Sequence, residues 1–136
     1  RTRTAFLELA YDWGNSRRPD LYDESFYTKA LLAPTRRALL HFRDYLRQRG
    51  MEATVVIIPD KDQIYKPFAS SEDRHRPNNE LAAILIELEI PYIDLLPVFL
   101  ESASGKPLYN MTTAGHLSIR GHLITADVLQ HHLRNR

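Results

Sequence analysis

One junction constrains the fold of this chain more than any other feature. A helix-forming stretch hands over, across a glycine, to a run of β-branched residues. Residues 34–49, PTRRALLHFRDYLRQR, place Ala38, Leu39, Phe42, Tyr45 and Leu46 at the spacing of one helical face. Pro34 suits the first helical turn, where its missing N–H is not needed, and Gly50 stands where a left-handed C-terminal cap belongs. ATVVIIP then runs from Val55 to Ile58 without a polar residue before Pro59. Such a run reads as a strand buried on both faces. Helix, glycine and buried strand in that order is the rhythm of an α/β sheet.

The alternation continues downstream. DKDQIYKPFASSEDRHRP reads as a polar loop with one helical turn, and SSEDRHRP within it as a solvated stretch. NNELAAILIELEI reads as a helix capped by Asn78 or Asn79, packed through Leu81, Ile84, Leu85 and Leu88, and stopped before Pro91. PYIDL is a short second strand, LPVFLES a short helix and ASGKPLYNMTTAG a long loop. Ser118 caps a last helix from Ile119 to about Leu133, expected to pack through Leu123, Ala126, Leu129 and Leu133. The two strands should lie parallel, joined by a right-handed crossover. At the N-terminus, Phe6, Leu7, Leu9 and Ala10 suit a short helix or strand, and GNSRRPD a loop.

Ligands of such sheets collect beyond the carboxyl ends of the strands. That edge carries Asp60-Lys61-Asp62 and Asp94. The loop ending at His116 is long enough to fold back over it. Several classes of partner are excluded by composition. A net charge of +1 over 136 residues gives no field that would make nucleic acid a main partner. No apolar run is long enough to span a bilayer. With no cysteine there is no thiolate chemistry, and no His/Asp/Glu pair stands at metalloprotease spacing, so neither a metal nor a cofactor is expected.

IPYIDLLPVFLESASGKPLYNMTTAGHLSIRGHLITADVLQHHL resembles the C-terminal end of an SGNH/GDSL-type hydrolase. In that family a strand ending in Ile-Asp-Leu leads through a variable loop to Asp-Gly-His-Leu-(Ser/Asn)-x-x-Gly-His and a closing amphipathic helix. VVIIPDKDQIYKP is likewise similar to the strand-plus-loop segment of SGNH-like domains that O-acetylate exported polysaccharides. The resemblance implies a three-layer α/β/α fold with a parallel sheet, of which residues 1–136 are an incomplete C-terminal portion of one domain. It implies that His116 is the catalytic base, that Ser118 caps the following helix and that Gly121-His122 are scaffold. The expected acid position, two residues before the histidine, is Ala114, and the residue before it is Thr113. The Gly-Asp-Ser nucleophile block is absent, as are the glycine and asparagine blocks of the oxyanion hole. The nucleophilic serine is therefore expected outside these residues, with the rest of the domain supplied as another chain or segment.

The resulting expectation is an ester hydrolase or O-acyl (acetyl) transferase acting on an ester or acylated carbohydrate, in an extracytoplasmic compartment as the resemblance suggests. The alternative, favoured by Ala114, is a degenerate, non-catalytic SGNH-like domain that binds glycans or a partner protein. Asp60 and Lys61 are read as substrate-adjacent, or else as part of an exposed, self-neutralising turn. Asp94 is read as the cap of the short helix that follows it. Tyr65 and His122 are read as packing, and His131-His132 as exposed.

Overall fold

The computed structural model describes residues 22, 27, 29–110 and 115–135. The N-terminal readings at residues 6–10 and 14–20 lie outside these, as do Thr113 and Ala114. In chain order the elements are α1 (Lys29–Arg47), β1 (Val55–Ile57), α2 (Lys61–Tyr65), α3 (Ser71–Glu87), β2 (Tyr92–Asp94), α4 (Leu96–Glu101) and α5 (Ile119–Arg134). The two strands pair in parallel, with Val55 opposite Tyr92, Val56 opposite Ile93 and Ile57 opposite Asp94. The chain is therefore α/β.

Alternation along these strands divides the core in two. Val55, Ile57 and Tyr92 pack with Ile84, Leu85 and Leu88 of α3 and its end, together with Leu32, Leu39 and Leu40 of α1. Val56 and Ile93 pack with the opposite cluster, in which Leu95, Leu96 and Phe99 meet Ile64, Leu108, Tyr109 and the α5 residues Ile124 and Val128. Neighbouring side chains of a strand point to opposite faces, so each strand contributes to both clusters. Burial on both faces holds only through Ile57, because Ile58 is 52% exposed.

Several boundaries depart from the sequence reading. Helix α1 begins at Lys29, five residues before Pro34, which lies inside it. Its inner face is Leu32, Leu39, Leu40 and Leu46, while Phe42 and Tyr45 are exposed. Gly50 adopts the left-handed conformation (φ 64°). The Gly50 and Met51 N–H groups donate to Arg47 O and Leu46 O, a Schellman ending. Helix α3 starts at Ser71, well before Asn78, because Ser70 caps it by accepting from the Asp73 N–H. The SSEDRHRP stretch is thus helical and carries Pro77 in its interior. Asn78 is buried in mid-helix instead of capping it.

Helix α5 is rotated relative to expectation. Its inward residues are Gly121, Ile124 and Val128, whereas Leu123 and Leu133 are 65% and 68% exposed. The reason lies at its start. A Cβ on Gly121 would stand 2.3 Å from the Leu108 carbonyl oxygen, so only glycine lets the helix approach that backbone. That contact fixes which face turns inward. His122 consequently points outward and is not a packing residue. His131 is exposed as expected, but His132 is half-buried, with its Nε2 shielded from water.

Candidate active site

The carboxyl edge of the sheet is built on a chain of polar contacts. Asp60 caps α2 by accepting from the Asp62 N–H at 2.7 Å, and Gln63 returns the bond by accepting from the Asp60 N–H at 2.7 Å. This is a capping box. The Gln63 amide nitrogen donates to Asn78 Oδ1 at 2.8 Å, and Asn78 Nδ2 donates to Asp94 Oδ1 at 2.6 Å. Asp94 Oδ1 also accepts from the Leu96 N–H at 2.9 Å. Gln63 and Asn78 are 2% and 3% exposed, so the network is shielded from solvent and its bonds carry structural weight. Both strand ends are thereby tied to α2 and α3. Asp94 accepts from the first N–H of α4, whose cap residue is Leu95, and the Asp60 carboxylate serves α2. Asn78 is read from sequence only as a helix cap and Gln63 is not singled out, although Asp60-x-x-Gln63 is the spacing of a capping box.

A short antiparallel bridge between Tyr109 and Leu117 joins the backbone beside His116 to Tyr109, whose side chain reaches this edge. The Asn110 N–H donates to the His116 carbonyl oxygen at 2.8 Å, and the Ser118 N–H to Leu108 O at 2.8 Å. Gly115, with φ 74°, makes the turn into the histidine, a conformation that strains any residue with a Cβ. Tyr109 is 1% exposed, and its hydroxyl donates to the Pro59 carbonyl oxygen just beyond β1. Burial first, then the charges of Asp60 and Tyr65, push the Tyr109 phenol well above its ordinary value. It is a neutral donor at physiological pH.

Asp60 and His116 are accordingly linked through Pro59, Tyr109 and Asn110. The His116 side chain is exposed and has no hydrogen-bond partner among the described residues. Lys61, the first residue of α2, is half-buried and makes no ion pair among them. Ser118, two residues from the histidine, is fully committed: its Oγ donates to Pro107 O at 2.7 Å and accepts from the Gly121 N–H at 3.2 Å. It caps α5. Beside the histidine lies a recess of about 430 Å³ lined by Pro107, Tyr109, Asn110, Leu117, Ser118 and Ile119. Tyr65 packs edge-on against Tyr109, and its hydroxyl accepts from the Leu108 N–H at 2.7 Å. Among the described residues no group of His, Asp and Glu could hold a metal ion, and no helix is long and apolar enough to cross a membrane.

A family model described as an SGNH hydrolase-like domain, acetyltransferase AlgX, matches residues 18–136. No curated protein and no solved structure matches the chain.

Proposed function

The chain belongs to the SGNH hydrolase-like domain family of the acetyltransferase AlgX, a hydrolase-like and acyltransferase kind of domain, and from that premise we propose that His116 is its general base. The observation that carries this reading is the exposed imidazole on a hairpin tied to the carboxyl end of β1. Open α/β sheets bind their substrates at that edge. The substrate class we assign is an ester or acylated carbohydrate; the acetyltransferase in the family description supports its acyl part.

The serine that attacks stands outside this chain, since Ser118 is occupied as a cap and no Gly-Asp-Ser block occurs. Its Oγ adds to the acyl carbonyl while His116 takes the hydroxyl proton. Collapse of the tetrahedral intermediate expels the donor's alcohol, which leaves with that proton. Water or a sugar hydroxyl then attacks the acyl-enzyme, giving its proton to His116, which passes it to the serine Oγ as the acyl product leaves. Asp60 and Lys61 are taken as substrate-adjacent at this edge, Lys61, which makes no ion pair among the described residues, as the cation that meets substrate oxygens. The domain is a three-layer α/β/α unit of which these residues form the C-terminal portion. Two apolar clusters on opposite faces of the strand pair support that arrangement.

A non-catalytic, glycan-binding or partner-binding relative is the second reading, favoured by alanine at position 114, where the family's acid is expected. Turnover of an activated acetyl ester by the full-length protein separates the two. His116→Ala should lower kcat on the order of 10²- to 10⁴-fold, the usual contribution of a positioned base. Absence of turnover in the wild type, with glycan binding retained, would favour the second reading.

A further inference from the structure

The segment Leu108–Tyr109–Asn110 joins the histidine to the rest of the molecule. It pairs with His116 and Ser118 through the Asn110 N–H and the Leu108 carbonyl. Two phenol hydroxyls hold the same segment as well. Tyr65 accepts from the Leu108 N–H, and Tyr109 donates to Pro59 O, fifty positions earlier in the chain. Leu108 and Tyr109 are buried, so both ties are made where an unmade bond leaves a desolvated group unpaired.

Packing alone does not call for a tyrosine at position 109. A phenylalanine would keep the edge-to-face contacts to Phe99 and Tyr65, at 6.0 Å and 6.4 Å between ring centroids. What it would lose is the donor to Pro59, whose carbonyl lies beyond the end of the strand ladder at Ile57 and Asp94. We propose that Tyr109 is a positioning residue, whose hydroxyl fixes the His116 hairpin against the carboxyl end of β1, with Tyr65 as the second tie. The placement is read from geometry; only its effect on turnover rests on the reading of His116 as base.

The test is Tyr109→Phe in the full chain, followed through the ¹H–¹³C cross-peaks of the imidazole rings. The His116 cross-peak should move, and the Asn110 amide should exchange about 2- to 10-fold faster, the loss of one neutral hydrogen bond. His75 on α3 and His131 on α5 should keep their positions. A general loss of stability would not shift one histidine in the folded state, so the cross-peak separates positioning from mere support. If Tyr109→Phe does not fold, Tyr65→Phe, at a ring that is 36% exposed, removes the other tie and is read in the same way. An unmoved His116 cross-peak in the folded variant overturns the proposal. In acetyl-ester turnover by the full-length protein, Tyr109→Phe should lower kcat about 2- to 10-fold with KM held. Should His116→Ala leave turnover intact, the base assignment fails, and the cross-peak still decides the role of Tyr109.

Discussion

Two residues in left-handed backbone end the two long helices that cover one face of the strands. Gly50 closes α1, and its role is visible in the sequence because glycine is the residue that adopts this conformation at least cost. Glu89 closes α3 in the same way, with φ 54°, its N–H donating to Ile86 O and that of Ile90 to Leu85 O. Nothing in a glutamate announces a left-handed cap, so this ending was illegible. Its exposed carboxylate pairs with Arg47 at 3.2 Å, which contributes little in water. Glu89→Gly should therefore stabilise the chain by a few tenths to about 1 kcal/mol, the relief of Cβ strain less the entropy of glycine. A urea midpoint for Glu89→Gly at or below that of the wild type would show that the strain is not there to relieve.

At the scale of elements, legibility followed the strength of local signals. The α1–Gly50–β1 junction and the apolar stripe of α3 could be read, because periodicity and capping chemistry are local. Asp94, read as the cap of α4, stands one residue before the cap position Leu95, although its carboxylate accepts from the Leu96 N–H. The first half of α3 was missed although Ser70 and Asp73 mark its start, since Pro77 and a run of charges argue for a loop. Burial of Asn78 against Gln63 and Asp94 holds that stretch helical, a tertiary effect that no local pattern carries. The face of α5 was misread for a similar reason. Leucine spacing pointed to Leu123 and Leu133, but the contact of Gly121 with Leu108 O turns another face inward. Gly121→Ala should cost about 1–3 kcal/mol, as overpacking against rigid backbone does, read as a lower urea midpoint. An unchanged midpoint would mean that α5 is not seated by this glycine.

For the molecule as a whole, the parts of the candidate site come from segments far apart in sequence, which is why the sequence offers His116 as a candidate but not the groups that hold it. A histidine before a capped helix is a pattern in one stretch of chain; the tie from Tyr109 to Pro59 is not. Burial of the Tyr109 phenol, with Asp60 beside it, has a measurable consequence at high pH. The folded chain holds the Tyr109 proton more tightly than the unfolded chain does. Its contribution is therefore complete below the ordinary phenol value of about 10 and is lost as pH rises from there toward the higher folded value. The urea midpoint should fall between about pH 8 and about pH 11, and fall less in Tyr109→Phe. Equal losses in the two proteins would detach Tyr109 from alkaline unfolding. The assignment of His116 as base is tested most directly by a double-mutant cycle in the full-length protein, pairing Ala114→Asp with His116→Ala and reading kcat on an activated acetyl ester. A carboxylate at position 114 should fix the imidazole tautomer and stabilise the imidazolium formed as serine attacks, raising kcat on the order of 10² to 10⁴ with little change in KM. That gain should vanish when His116 is alanine. An equal gain with and without His116, or turnover indifferent to His116, would contradict the account.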